Sequence, residues 1–235
     1  PVIAPQLLLF LFLGTLIGYN FVKYAGISNL HHLEITSNIA LIRGLTLVAL
    51  APFGYLFFLL PAEVMVTAGI FGLFTLLYAI PLINGKNFRS LSGVKIFIIC
   101  LVWTGAAVVI PLVYHGAELT RAAVFQATEI FLFVLVLMIP FEIRDLKYDE
   151  PELDTIPQRL GLTRAKNLGI VLLILVVILS LFQKLESQTQ LGVTLFTVSI
   201  TLLALLKTEE NQSPYFASFW VEAIPIMWFV ILVLV

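Results

Sequence analysis

The sequence predicts an all-α integral membrane protein, and three observations carry that prediction. Of the 235 residues, 60% are hydrophobic and 11% are charged, whereas about 25% are charged in an ordinary soluble domain. The hydrophobic residues form continuous runs instead of alternating with polar ones, which excludes a transmembrane β-barrel. Because every backbone polar group in a bilayer has to be paired internally, these runs are expected to be helices.

Eight runs are long enough to cross a hydrocarbon core, which takes about 20 residues. In chain order, the predicted transmembrane helices are Gln6–Tyr24, Asn38–Leu60, Ala62–Leu82, Val94–Tyr114, Thr120–Ile143, Thr163–Phe182, Leu191–Leu206 and Tyr215–Val235. The seventh is the shortest. No repeat and no Pro/Gly/Ser-rich linker divides the chain, so we expect one multi-pass domain over residues 1–235.

Lysine and arginine fall mostly on one side of these eight crossings. That side collects 11 of the 13 basic residues: Lys23, Arg43, Lys86, Arg89, Lys95, Arg144, Lys147, Arg159, Arg164, Lys166 and Lys207. The other side has Arg121 and Lys184. Because basic residues accumulate in cytoplasmic loops, we expect the first side to face the cytoplasm, in the bacterial inner membrane. The net charge of -1 gives no field that would attract nucleic acid, so no nucleic-acid partner is expected.

Most carboxylates collect between the fifth and sixth runs, in the stretch Phe141–Pro157. Glu142, Asp145 and Asp149 stand at i, i+3 and i+7, so a helix that continued through them would project all three from one face. Such a set attracts a divalent cation. Mg²⁺ suits it because this ion takes hard oxygen ligands and often shares them with substrate phosphates. The alternative is a solvated acidic loop between membrane helices.

Three further groups of polar residues allow two interpretations each. The loop cations Lys86, Arg89 and Lys95 could hold phosphate, or could simply follow the positive-inside rule. The pair His31-His32 with Glu34 lacks the ligand spacing of a tetrahedral zinc site, so histidines at a membrane interface are favoured over zinc. The acids Glu129 and Glu222 lie within apolar runs, where a carboxylate marks either a functional polar site or a hydrogen bond inside the bundle.

Several of these segments together resemble the UbiA superfamily of intramembrane prenyltransferases. The resemblance starts with Tyr78-Ala79-Ile80-Pro81 and the loop cations, and it covers nearly the whole chain. The second aspartate-rich motif of the family reads Asn-Asp-x-x-Asp-x-x-x-Asp, often followed by Thr-(Leu/Ile)-Pro-x-(Arg/Lys)-x-Gly. Here Phe141 replaces the Asn and Glu142 the first Asp, while Asp145, Asp149 and the tail from Thr155 to Gly161 match.

This resemblance implies a fold, a reaction and a site. The fold would be nine transmembrane helices around a lipid-open cavity, so that one N-terminal helix is missing from these residues. The reaction would move an isoprenyl group from a polyprenyl diphosphate to a lipophilic acceptor, of aromatic or quinone type. Mg²⁺ would be held by Asp145, Asp149 and Glu142, which would be the catalytic residues. The substrate would be bound by Asn20, Lys23, Tyr78, Lys86, Arg89, Lys95 and Arg144.

The first aspartate-rich motif of the family is altered in this chain. It aligns on Asn20, and its three carboxylate positions fall on Phe21, Tyr24 and Ser28. The chain therefore lacks one of the two carboxylate clusters that the resemblance would lead us to expect as metal ligands. Our hypothesis is that Lys23, with His31 or His32, supplies positive charge in its place, because an ammonium group can neutralise phosphate directly.

Two other functions compete with catalysis. The altered first motif favours a non-catalytic membrane protein that binds or moves an isoprenoid lipid. A small-ion or proton-coupled transporter would instead depend on Glu129 and Glu222. The sequence shows no phosphate loop, dinucleotide fingerprint or Ser/His/Asp set at convincing spacing, so those enzyme classes are disfavoured.

Overall fold

The structure is a computed structural model that describes residues 4–24, 39–80, 88–91, 93–149, 153–184, 188–213 and 215–234. Within these ranges the regular structure is helical throughout. The helices are α1 (Pro5–Tyr24), α2 (Ile39–Leu59), α3 (Ala62–Ala79), α4 (Lys95–Tyr114), α5 (Arg121–Asp145), α6 (Ile156–Leu160), α7 (Leu162–Lys184), α8 (Gln188–Lys207) and α9 (Phe216–Leu234).

Eight of these helices, all but the five-residue α6, are long and apolar enough to cross a bilayer. Each coincides with a predicted run, and no end differs by more than three residues. The predicted all-α membrane class with eight crossings is confirmed, and the chain is an integral, multi-pass membrane protein. The seventh crossing, α8, is longer than predicted: it has 20 residues and begins at Gln188, because its first turn is polar and lies outside the apolar run.

The helices group into two compact units, residues Pro1–Leu119 and Thr120–Val235, which we call the N-terminal unit and the C-terminal unit. In the N-terminal unit α1 packs on α2 and α3, and α3 packs on α4. Its core joins Leu7 and Phe10 of α1 to Leu56, Val64 and Ile110. The expectation of a single domain stays a prediction, and each unit is described by itself.

In the C-terminal unit α5 packs on α7, and α8 packs on α5, α7 and α9. Gly169 in α7 lies against side chains of both α5 and α8. A Cβ atom there would lie 2.6 Å from Leu205 Cδ2 and 3.1 Å from Ile139 Cδ1, so a larger residue would force the Leu205 and Ile139 side chains to shift. Close packing at Gly169 therefore brings the end of α5, the start of α7 and the end of α8 together at one end of the unit.

Two of the membrane helices contain a π-helical turn next to a proline. In α4 the turn covers Gly105–Val109 and precedes Pro111, and in α9 it covers Phe216–Val221 and precedes Pro225. Proline has no N–H to donate and its ring clashes with the carbonyl four residues earlier. A wider turn before the proline relieves that clash and keeps the helix continuous.

Candidate functional site

The candidate site lies at the C-terminal end of α5, where Glu142, Asp145 and Asp149 follow a long apolar helix. The helix ends at Asp145, so it does not continue through all three carboxylates. One further turn follows, because the Asp145 carbonyl accepts the N–H groups of Tyr148 and Asp149, each at 2.8 Å. The i→i+4 bond keeps Asp149 one turn beyond Asp145, and both side chains remain partly accessible.

The position of these acids makes the end of α5 strongly negative. The C-terminal end of a helix carries a partial negative charge, so each carboxylate there is disfavoured by about 0.3–1 kcal/mol, whereas a cation is favoured. The chain supplies one such cation in the last turn of α5, Arg144. This end of the helix is therefore a place where added positive charge, from a side chain or a metal ion, is stabilising.

Arg144 is bound to Asp145 by two hydrogen bonds. Its Nε donates to Asp145 Oδ1 at 2.7 Å, and its Nη2 donates to Oδ2 at 3.1 Å. The guanidinium also lies over the ring of Phe141, with 5.3 Å between Cζ and the ring centroid. Both carboxylate oxygens of Asp145 thus already accept from the residue that was predicted to bind phosphate.

Glu142 is in a different environment from the two aspartates. It is 2% exposed, and its Oε2 accepts the N–H of Ile156 at 3.3 Å. This bond ties the first residue of α6 to α5 across the acidic stretch. The geometry shows Glu142 as an anchor for the returning chain, and its predicted role as a metal ligand stays a prediction.

The segment after the acids is folded by hydrogen bonds of its own. The N–H of Thr155 donates to Gln158 Oε1 at 2.8 Å, and Gln158 Nε2 donates to the Asp149 carbonyl at 3.5 Å. Gly161 ends α6 with a φ of 77°, a left-handed conformation that favours glycine. The Thr, Gln and Gly of this tail therefore determine where the chain turns back into α7.

Asp154 and Arg159 form an ion pair on the exposed side of the same segment. The hydrogen bond and the negative charge of Asp154 raise the pKa of the Arg159 guanidinium above its ordinary value. Asp154 itself has a φ of 54°, which aspartate and asparagine tolerate better than most residues. The pair is solvent-exposed, so we expect it to contribute little to stability.

Sequence reasoning missed two glutamines that support this end of α5. Gln158 is one, and Thr155-x-x-Gln158 is a capping-box pattern that could have revealed it together with α6. The other is Gln212, whose Nε2 donates to the Pro140 carbonyl at 2.9 Å. The two residues are 72 positions apart, and no local sequence pattern predicts their contact.

The remaining predicted substrate-binding residues belong to the N-terminal unit. Asn20 Nδ2 donates to Thr46 Oγ1 of α2 at 2.9 Å, and Lys23 Nζ lies 5.3 Å from the centroid of the Tyr19 ring. Further along the chain, the structure places a buried tyrosine in α3 and two cations at and just before the start of α4: Tyr78, Arg89 and Lys95.

Some predicted residues lie outside the part of the chain that the structure describes. These are Lys86 of the basic loop and Ser28, His31, His32 and Glu34 after α1. The predictions made for them, including the zinc alternative, stay predictions.

The chain is similar in structure to solved UbiA homologues from Archaeoglobus fulgidus. The structure of one bound to GPP and Mg²⁺ matches with a TM-score of 0.66 and 16% sequence identity, over 98% of this chain and 88% of that chain. One bound to Cd²⁺ matches with a TM-score of 0.61 and 17% identity, over the same shares of the two chains. This chain has the UbiA fold. No protein-family model and no curated protein matches the sequence.

The UbiA fold confirms the predicted resemblance at the level of structure. The match extends over nearly the whole chain, as the order of the segments in the sequence had indicated. At these identities it establishes the fold and leaves the reaction to be argued from the side chains.

Within the described residues of this UbiA fold, no group of three or more His, Cys, Asp and Glu side chains is arranged to hold a metal ion. Mg²⁺ does not require such a group, because it is usually held by one or two carboxylates together with water and phosphate oxygens. Asp145 and Asp149 provide hard oxygen donors one turn apart at the negative end of α5. They fit an ion of this kind, provided that Asp145 is shared with or released by Arg144.

The two acids that lie within apolar runs of this chain, Glu129 and Glu222, differ in exposure. Glu129 in α5 is 1% exposed, and its Oε2 accepts from Gln183 Nε2 of α7 at 3.2 Å. This bond favours the interpretation of Glu129 as a hydrogen-bonded residue inside the bundle. Glu222 follows the π-helical turn of α9, where its N–H donates to the Ala217 carbonyl at 3.3 Å and its side chain is exposed. The contacts described for Glu129 and Glu222 do not add support to the interpretation as a transporter.

Proposed function

We propose that this protein is a member of the UbiA superfamily that transfers an isoprenyl group from an isoprenyl diphosphate to a lipophilic acceptor with the help of Mg²⁺. One observation carries the proposal. A chain with the fold of a homologue that was solved with GPP and Mg²⁺ has two aspartates one turn apart at the end of α5. The acceptor would be a lipophilic molecule, for example one of aromatic or quinone type.

In this proposal the side chains neutralise the diphosphate as it leaves. Asp145 and Asp149 would hold Mg²⁺, which, when bound, withdraws charge from the departing diphosphate. Arg144 adds a planar cation that suits phosphate oxygens, and Lys86, Arg89 and Lys95 are proposed to add further positive charge. The bond between the allylic carbon and the diphosphate oxygen breaks, the acceptor forms a bond to that carbon, and the acceptor loses a proton.

The C-terminal unit keeps its basic residues mostly at the end that carries these aspartates. The end of α5, α6, the start of α7 and the end of α8 carry six of them: Arg144, Lys147, Arg159, Arg164, Lys166 and Lys207. Lys166 Nζ donates to the Leu206 carbonyl at 3.0 Å, which joins the start of α7 to the end of α8. By the positive-inside rule, we propose that this end faces the cytoplasm of a bacterial cell.

The test is an assay of diphosphate release by the purified full-length protein. Isoprenyl diphosphates of different lengths would be offered with lipophilic acceptors, with and without Mg²⁺. We expect release that requires Mg²⁺ and is lost in Asp145→Asn and Asp149→Asn. Asp154→Asn is the matched control, because it removes a carboxylate from the same loop at a backbone conformation that asparagine tolerates. Release that survives both aspartate variants would refute the proposal.

The second candidate is a non-catalytic protein that binds an isoprenoid lipid, and the end of α1 favours it. The first two of the motif's carboxylate positions are Phe21 and Tyr24, and α1 contains no acidic residue. Such a protein would bind isoprenyl diphosphate with Mg²⁺ and release no diphosphate with any acceptor. Equilibrium binding measured beside the turnover assay separates the two candidates.

A further inference from the structure

The pair formed by Arg144 and Asp145 places two predicted functions in competition. Both oxygens of the Asp145 carboxylate accept from the same guanidinium, at 2.7 Å and 3.1 Å. A metal ion bound by Asp145 needs at least one of these oxygens. A phosphate bound two-pronged by the Nε and Nη2 edge of Arg144 needs the N–H groups that now donate to the carboxylate. Each residue therefore takes up its predicted function in competition with the other, unless a metal ion shares an oxygen of Asp145 through its second lone pair.

The surroundings of the pair allow it to open. The side chains of Arg144 and Asp145 are 27% and 23% exposed, so water can replace each partner and the pair is not held by burial. An ion pair of this exposure is worth little against a stronger partner. A divalent cation is a stronger partner for a carboxylate than a guanidinium, and diphosphate oxygens are well matched to the planar fork of arginine.

A second contact holds Arg144 at this position when its partner changes. The guanidinium lies over the ring of Phe141, the residue that replaces the asparagine of the family motif. A cation over an aromatic face is stabilised without using its N–H groups. The ring can therefore keep Arg144 beside the site while its donors turn from Asp145 to another anion.

We propose that Arg144 is a displaceable counter-ion of Asp145. It neutralises the carboxylate at the negative end of α5 until a divalent cation binds there, and its donors then pass to the diphosphate that accompanies the cation. This inference rests on the proposed function, since it concerns the same aspartate and the same class of substrate. Arg144 acts as a positioning residue that couples metal binding to diphosphate binding.

The coupling predicts opposite effects of one substitution. Replacement of Arg144 by glutamine removes the competitor for Asp145, so a divalent cation should bind more tightly in the absence of diphosphate. The same replacement removes donors for the phosphate oxygens, so an isoprenyl diphosphate should bind more weakly once the cation is saturating. A residue with a purely structural role would not change the two affinities in opposite directions.

The experiment measures Mn²⁺ binding to the full-length protein by electron paramagnetic resonance, with Mn²⁺ as the probe cation. We expect Arg144→Gln to tighten Mn²⁺ binding about threefold to fivefold relative to Lys147→Gln, which is the scale of a partly exposed ion pair. Lys147→Gln is the matched control, because it removes the same charge from the same segment while Lys147 contacts the ring of Tyr148. At saturating Mn²⁺ we expect Arg144→Gln to weaken binding of a non-hydrolysable isoprenyl diphosphate about tenfold.

Arg144→Lys provides a second variant that keeps the charge and removes the two-pronged contact. We expect its Mn²⁺ affinity to lie between those of the wild type and Arg144→Gln, with diphosphate binding partly restored. Equal Mn²⁺ affinities in Arg144→Gln and Lys147→Gln would overturn the proposal, and so would weaker Mn²⁺ binding in Arg144→Gln. Wild-type protein that binds no Mn²⁺ would overturn it as well.

These results are independent of whether the proposed reaction occurs. If wild-type protein releases no diphosphate but Arg144→Gln tightens Mn²⁺ binding, the proposed transfer reaction is refuted and the proposed role of Arg144 as counter-ion is supported. If release requires Mg²⁺ and Asp145 but Arg144→Gln leaves Mn²⁺ affinity at the level of the control, the proposed role of Arg144 is refuted and the proposed transfer reaction is supported.

Discussion

The ends of α1 and α5 correspond to the two aspartate-rich motifs of the resemblance, and they differ in chemistry. At the end of α5, Asp145 and Asp149 lie one turn apart beside Arg144. At the end of α1, Asn20 donates to Thr46 of the neighbouring helix, and Lys23 lies over Tyr19. One end offers oxygen donors for a metal ion, and the other offers an amide and an ammonium group. Within the described residues of these two ends, only the end of α5 carries neighbouring carboxylates, so we expect the proposed diphosphate site to use that one cluster.

The largest effect is expected from the aspartates of α5. Asp145→Asn or Asp149→Asn should lower kcat/KM for isoprenyl transfer by about 100-fold or more, corresponding to ~2.7 kcal/mol of transition-state stabilisation, because the amide is a poor ligand for Mg²⁺. Steady-state diphosphate release at several Mg²⁺ concentrations measures this loss. A decrease of the same size in Asp154→Asn would show that the loss comes from disturbance of the loop.

The next effect is expected at Glu142, where support of the fold and metal binding can be distinguished. Glu142→Ala removes the acceptor of the Ile156 N–H in a partly buried position, which we expect to cost about 1–3 kcal/mol. Thermal unfolding and limited proteolysis between α5 and α7 should both report it. Glu142→Gln keeps an acceptor oxygen and should preserve most of the stability and the Mg²⁺ affinity. A Glu142→Gln variant that is stable but has lost Mg²⁺ affinity would identify Glu142 as a metal ligand.

A smaller effect is expected at the end of α1. If Lys23 supplies the charge that carboxylates and a metal supply in the family motif, Lys23→Ala should weaken binding of an isoprenyl diphosphate about tenfold, the scale of one lost charged hydrogen bond. Titration calorimetry at saturating Mg²⁺ measures the change. Arg43→Ala, which removes a cation from α2, serves as the control. Unchanged binding in Lys23→Ala would refute the charge-substitution hypothesis.

The smallest effect is expected at the exposed ion pair of Asp154 and Arg159. Arg159→Gln removes a contact in which the Arg159 side chain is 58% exposed, and exposed pairs contribute little. We expect diphosphate release and the melting temperature to stay close to the wild-type values. A large loss of activity in this variant would mean that Arg159 takes part in the site directly.

The fold could be predicted from sequence because lipid imposes a simple rule on helix length. Apolar runs predict all eight crossings, and the helix ends differ most at the end of α3 and at the start of α8, where the helix begins with polar residues. The short helix α6 was missed because an apolar run cannot reveal five residues, although Thr155 and Gln158 carry its capping signature.

The candidate site was less predictable, because the spacing of acidic residues along a helix predicts that they lie close together but does not predict their hydrogen-bond partners. The positions of Glu142, Asp145 and Asp149 indicated one acidic face, but their environments depend on contacts from elsewhere in the chain. Glu142 accepts a hydrogen bond from the N–H of Ile156, and Asp145 accepts two from its neighbour Arg144. The second pairing is unexpected because adjacent residues on a helix do not face each other. The pairing of Arg144 with Asp145 depends on the side-chain conformations at the end of α5, which the spacing of residues along the sequence does not predict.

The central claim is that this protein binds an isoprenyl diphosphate with one carboxylate cluster, at the end of α5. The most direct test is the number of Mn²⁺ ions bound per chain, measured by equilibrium dialysis in the presence of a saturating, non-hydrolysable isoprenyl diphosphate and corrected for ions bound to free diphosphate. We expect one Mn²⁺ per chain, which is lost in Asp145→Asn and Asp149→Asn. Two ions per chain, or one ion that remains in both variants, would contradict the account.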